Sequence, residues 1–204
     1  MLNYSVIFSK FIGVNMKLFI GWTVYFFIHS LLASNLVKDS CKRNIPIVFN
    51  YYRILFNIVA IVGLIIMIQI TLLDKNLLFK QSSILNIIAI ILLLSGCIVF
   101  IIAATSFNLK EFLGFEKPIQ KAQNKLVTKG IYKYVRHPLY TGTILVSVGY
   151  FLFTPTISVL IFVILTFIYI EIGSRLEEKK LTDEFGDDYI EYCKSVKRYF
   201  PFLY

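Results

Sequence analysis

The residues of this chain best equipped for chemistry fall into two groups. Arg136, His137, Pro138, Tyr140 and Gly142 crowd into "RHPLYTG" at the mouth of an apolar run, and Glu171, Arg175, Glu177 and Glu178 follow at the far end of it. On a helix, Glu171, Arg175 and Glu178 fall at i, i+4 and i+7 and form one polar stripe. Glu177 points about 100° away from Glu178, so only one of the two faces a given ligand. Glu171 sits among apolar residues, where an ionisable side chain needs a partner or a water-filled cavity; Arg136, Arg175 and His137 are the candidates. A carboxylate cluster, two arginines and an imidazole make a polar pocket beside whatever the apolar run is embedded in.

That run and its predecessors define the class. The chain has 204 residues, 57% of them apolar, and a mean hydropathy of +0.73. Leu18–Val37, Ile54–Leu73 and Ile84–Ala104 are each long enough to cross a hydrocarbon core of roughly 30 Å. Leu139–Gly173 as a single helix would reach roughly 50 Å, too far for one span. Pro155 within "FTPT" predicts a break into two shorter helices. The expectation is an all-α, polytopic integral membrane protein of about five transmembrane helices, the last two a short hairpin, ending in a cytoplasmic helical tail. Residues 1–204 read as a single membrane domain, with a three-span part (1–105) and a ligand-binding part (106–204).

Charge placement agrees with five spans. With the N-terminus outside, four of the 21 basic residues lie outside and the other 17 inside, the positive-inside pattern. The net charge of +9 then belongs to the face meeting anionic lipid and gives no sign of a nucleic-acid partner. Cys41, Cys97 and Cys193 form no disulfide framework or metal-binding pair, and no metal is expected. The first span is too long and lacks a small-residue cleavage site, so it reads as a retained helix. Two inner segments, Thr105–Pro138 and Ser174–Tyr204, are longer than connectors need be; Gly114 and Gly130 read as turn points in the first. In the second, Phe185–Gly186 ends or bends the last long helix, and Tyr189 and Tyr192 share a face beyond it.

Several residues have plain structural readings. Lys133 is a snorkelling anchor, Tyr132 and Tyr134 are interface aromatics, and His29 is a helix-to-helix hydrogen bonder. Such readings explain less well why His137, Pro138, Tyr140 and Gly142 share one helix entrance.

"RHPLYTG" (Arg136–Gly142) followed by "EEKKLTDEFGDDYIEY" (Glu177–Tyr192) resembles the isoprenylcysteine carboxyl methyltransferase and phospholipid N-methyltransferase superfamily. Its pattern is RHPxYxG, two short spans, then EExxLxxxFGxxYxxY, and every one of those positions is met over about the last third of the chain. The resemblance implies S-adenosyl-L-methionine as cofactor, bound at the cytoplasmic ends of the last helices. Arg136, His137, Tyr140, Gly142, Glu177 and Glu178 are the cofactor-binding candidates, and Glu171 and Arg175 the catalytic ones. The cofactor's ammonium and ribose diol suit carboxylates; its own carboxylate suits Arg or the free N–H groups at a helix start, which Pro138 leaves pointing outward. Gly142 clears space for a bulky cofactor. The acceptor implied is hydrophobic or lipid-associated (a carboxylate, thiol or amine) and arrives from the bilayer. The N-terminal half looks like bacterial members, which places the chain in a bacterial inner membrane. Two rivals stand beside this reading: an NADPH-dependent sterol or steroid reductase, and a non-catalytic membrane accessory protein. The reductases tend to carry Asn before the motif Tyr and an acidic residue after the Gly, where this chain has Leu139 and Thr143.

Overall fold

The computed structural model describes residues 4–106 and 126–201. The turn expected at Gly114 and the basic residues Lys110, Lys117, Lys121 and Lys125 lie outside the described residues. Helices follow one another as α1 (Tyr4–Ala33), α2 (Asn35–Asn44), α3 (Pro46–Phe49), α4 (Tyr52–Thr71) and α5 (Ser83–Thr105). After a 3₁₀ turn at Gly130–Lys133 come α6 (Pro138–Phe153), α7 (Ile157–Phe185) and α8 (Asp187–Ser195). Four of these are long and apolar enough to cross a membrane: α1 (over Asn15–Ala33), α4, α5 and α7. The fifth apolar helix, α6, is shorter. The chain is an all-α, polytopic membrane protein.

Helix ends follow local chemistry. Ser34, Ser82 and Thr156 accept from the N–H groups of Val37, Leu85 and Val159, capping α2, α5 and α7. Ser34 therefore ends the first span at Ala33, short of the expected Val37, and turns the chain into the polar α2. Helix α1 also continues upstream of Met16, to Tyr4. Pro155 breaks the last apolar run as expected. Its second arm continues past Gly173 to Phe185, where Gly186 at φ +55° ends it, as expected of Phe185–Gly186.

Helix α6 lies hard against α5. A Cβ on Gly142 would come within 2.9 Å of the Gly96 carbonyl, and one on Gly149 within 2.9 Å of the Leu93 nitrogen. Between membrane helices, which gain no hydrophobic drive from lipid, such close backbone approach supplies the packing. On the other side, Trp22 of α1 is fully buried, donates to Thr71 Oγ1 of α4 at 3.1 Å and packs on Phe162 of α7. The outward faces of α4 and α5 stay apolar and exposed, with Val59, Ile66, Ile91 and Leu94 among them, as a lipid solvent requires.

The two ends of the bundle are tied separately. At one end Leu78 N–H donates to the Pro155 carbonyl, Ser158 Oγ to Asp74 Oδ2, and Gln81 to the Leu152 and Phe153 carbonyls. The α4–α5 loop and the α6–α7 turn thus share one face. The start of α6 and the far half of α7 meet at the opposite end.

Candidate cofactor site

The opposite end is organised by the chain's return after α8. Arg136 N–H donates to the Lys197 carbonyl and His137 N–H to that of Arg198, at 2.8 and 3.0 Å, so 135–137 run beside 196–198 as a short parallel pair. Thr141 Oγ1 donates to the Tyr199 carbonyl, and Tyr192 Oη to that of Tyr132. The backbone, not the side chains alone, fixes where the RHP residues point.

Glu178 is the hub. Arg136 donates to its Oε1 through Nε and Nη2 at 3.0 and 2.7 Å. Arg198 reaches both of its oxygens through Nε, at 3.2 and 3.0 Å, and donates to Oε2 through Nη2. His137 Nε2 lies 3.2 Å from Oε1. The spare Nη1 of Arg136 donates to the Cys193 and Val196 carbonyls. This carboxylate is only 13% exposed and its acceptor sites are taken.

Glu177 differs, as a neighbour 100° around the helix should. Its carboxylate stands half exposed, 3.5 Å from His137 Nδ1. It lines a cavity of about 390 Å³, of a size that suits a small-molecule ligand, together with Tyr132, Arg136, Pro138, Leu139, Tyr140, Glu184 and Tyr189. Glu178 does not line it. Burial pushes the His137 imidazole pKa down, but the Glu177 and Glu178 carboxylates beside its two nitrogens outweigh that and raise it. Burial, with Glu177 nearby, pushes the Tyr132 phenol up to about 12, so it stays a neutral donor.

The remaining predicted residues fall elsewhere. Glu171 accepts from Arg175 Nε at 2.6 Å, Arg198 Nη1 at 3.2 Å and Tyr199 Oη at 3.1 Å. These groups form a second cluster beside Glu178, outside the lining of the cavity. Gly142 corrects an expectation: it faces α5, where the Gly96 carbonyl and Phe100 leave no room for a Cβ. Its small size serves helix packing and not a ligand. Tyr132 also departs from its reading as an interface aromatic, being 8% exposed and part of the cavity wall. Arg198 and Tyr199 went unnoticed in the sequence, where "KRYFP" looks like one more basic tail. Only the strand-like pairing with 135–137 reveals them.

A family model described as phospholipid methyltransferase matches residues 83–188, a stretch that holds α5, α6, α7, the first motif half and the second as far as Asp188. The chain belongs to the phospholipid methyltransferase family. Methanethiol S-methyltransferase of Pseudomonas deceptionensis is 37% identical over 99 residues, covering 48% of this chain and 36% of that protein. The methanethiol S-methyltransferase of Crocosphaera subtropica is 39% identical over 100 residues, 48% of this chain and 37% of its own. Protein-S-isoprenylcysteine O-methyltransferase B of Arabidopsis thaliana is 32% identical over 95 residues, 46% of this chain and 48% of its own. The chain thus spans roughly a third to a half of the length of these relatives. No solved structure matches it significantly.

Proposed function

We propose that this family member transfers a methyl group from S-adenosyl-L-methionine to a hydrophobic, membrane-borne acceptor. The observation carrying the reading is the cavity's donor set. One wall offers the half-exposed Glu177 carboxylate, suited to an ammonium or a diol. Another is the start of α6, where the N–H groups of Leu139 and Tyr140 fall in the first turn and have no intrahelical acceptor, which suits a carboxylate. Tyr132, Phe185 and Tyr189 supply flat apolar surface between them, suited to a purine. Residues 106–204 hold this site, and 1–105 supply the spans against which the acceptor arrives.

Bound there, adenosylmethionine supplies an electrophilic methyl on a sulfonium. The protein's part is alignment and exclusion of water. A carboxylate against the sulfonium would stabilise the ground state more than the transition state, so Glu177 belongs at the cofactor's periphery. Glu178, neutralised by Arg136 and Arg198, holds the floor of the site and is not in contact with the cofactor. We assign Glu171 and Arg175, which stand outside the cavity lining, to the acceptor side. Three acceptor classes fit the names of the relatives and the family: a thiol, a carboxylate on a lipidated protein, and a lipid amine. The thiol enzymes' segments are more similar to this chain than the Arabidopsis one, which favours a thiol. By the positive-inside pattern the site faces the cytoplasm of a bacterial inner membrane.

The test is transfer of a labelled methyl by purified protein in nanodiscs to hexanethiol, a farnesylated cysteine or phosphatidylethanolamine. Label should enter at least one, hexanethiol foremost. Absence of transfer to all three, by a protein that binds NADPH, would replace this reading with the reductase one.

A further inference from the structure

A further polar cluster lies within the spans, about two helical turns along α7 from Glu177 in the cavity wall. Tyr169, Gly173 and Glu177 fall at i, i+4 and i+8 on α7 and share a face. At Gly173 a Cβ would touch the Tyr140 hydroxyl at 3.5 Å, so the missing side chain opens the way from the cavity wall towards Tyr169. One turn further from the cavity, about 6 Å along the axis, Tyr169 Oη meets α1. His29 Nδ1 lies 2.8 Å from it and Ser30 Oγ donates to it at 3.2 Å.

These distances fit either tautomer of His29, and one of the two leaves a base facing the seam. With the His29 Nδ1–H and the Ser30 hydroxyl both donating to Tyr169 Oη, the His29 Nε2 carries a free lone pair. It has no hydrogen-bonding partner among the described residues. The walls around the ring are Tyr25 of α1, Phe56 of α4 and Tyr169, with Phe26 stacked on Tyr169. Tyr25 and Tyr169 are the titratable groups in ring contact with it. An imidazole acceptor in an aromatic, lipid-accessible seam is more than a helix-to-helix tie needs.

We propose that His29 is the proton acceptor of the reaction and that its seam with Tyr169 binds a thiol. The proposal rests on the methyltransferase reading and extends it to the acceptor side. The thiol S–H bond breaks with its proton passing to Nε2, and the thiol sulfur forms the new bond to the methyl carbon. The pair from the broken methyl–sulfonium bond returns to the donor's sulfur, leaving a neutral sulfide. Tyr169 is a positioning residue that holds Nδ1 protonated. A carboxylate acceptor, already ionised, would leave His29 without a task.

The chain has two histidines, which makes ring ¹⁵N resonances a direct test. Either single substitution, His29→Gln or His137→Gln, assigns the two signals. Hexanethiol should shift the His29 signal, and S-adenosylhomocysteine the His137 signal. His29→Gln should lower kcat/KM for hexanethiol about a hundredfold near neutral pH and leave the affinity for S-adenosylhomocysteine unchanged. The gap should close at alkaline pH, as the thiol ionises without help; a merely structural defect would not be repaired that way. A His29 signal unmoved by hexanethiol, an undiminished rate in His29→Gln, or no transfer to hexanethiol by a protein that binds S-adenosylhomocysteine would each overturn the proposal. A His137 signal unmoved by S-adenosylhomocysteine would count instead against the cofactor reading.

Discussion

Arg136 and Glu178, 42 residues apart in the chain, meet at 2.7 Å with both side chains largely buried. Glu177, the next residue, faces the cavity. Adjacent glutamates therefore have separable tasks, and substitution should separate them. Glu178→Gln leaves Arg136 and Arg198 facing a neutral amide in a poorly hydrated place. Breaking such a buried pair costs on the order of 3–5 kcal/mol, to be read as a lower melting temperature. Glu177→Gln should melt near the wild type but bind S-adenosylhomocysteine tenfold to a hundredfold more weakly, the value of a hydrogen bond to a charged group, about 1.5–3 kcal/mol. A reversed pattern would move the cofactor to Glu178.

His137 gives the tail a pH dependence. Its pKa is raised above 6.5 in the folded protein by Glu177 and Glu178, against the pull of burial. The folded state then holds the proton more tightly than the unfolded one. The resulting stabilisation is complete below pH 6.5 and is lost as pH rises through the elevated value. Melting temperature measured upward from pH 6 should fall, and His137→Gln should flatten that part of the curve. A wild-type curve that rises across the same range would show that the imidazole is not protonated between the two carboxylates.

Gly142 tests the packing assignment. Gly142→Ala places a methyl 2.9 Å from the Gly96 carbonyl and 3.0 Å from the Phe100 nitrogen. Backbone cannot yield cheaply there, so α5 and α6 must separate, at a cost of about 1–3 kcal/mol. Cofactor affinity of the folded fraction should hold. Loss of affinity without loss of stability would return Gly142 to the cofactor's surroundings.

Arg198 is the strap between Glu178 and Glu171. Arg198→Met keeps much of the stem and removes the charge. It should destabilise the protein much as Glu178→Gln does, and the double variant should cost less than the sum of the two, because the residues share one network. Additive costs in this cycle would mean that the two side chains act independently.

The sequence showed the spans because hydropathy over about 20 residues is a strong signal, and it showed the break at Pro155 because proline has few alternatives. RHP and the glutamate pair were legible as short motifs with distinct chemistry. Which glutamate faces the cavity was not, since a 100° rotation separates two opposite roles and only the placement of Arg136 and Arg198 decides between them. Arg198 itself sits among lysines on a tail, and its partnership depends on a parallel pairing across 62 residues that no local pattern encodes. Gly142 was read as clearance for a ligand because a small residue looks the same whether a ligand or a helix approaches it. His29 was read as a tie between helices, and the hydrogen bond to Tyr169 agrees with that.

We propose that the cavity between α6 and α7 is an adenosyl-cofactor site organised around Glu177. Isothermal calorimetry of the purified protein in detergent, titrated with S-adenosylhomocysteine and separately with NADPH, tests it most directly. S-adenosylhomocysteine should bind saturably and one to one, with affinity weakened at least tenfold by Glu177→Gln, and NADPH should give no heat. Saturable binding of NADPH, with none of S-adenosylhomocysteine, would contradict it.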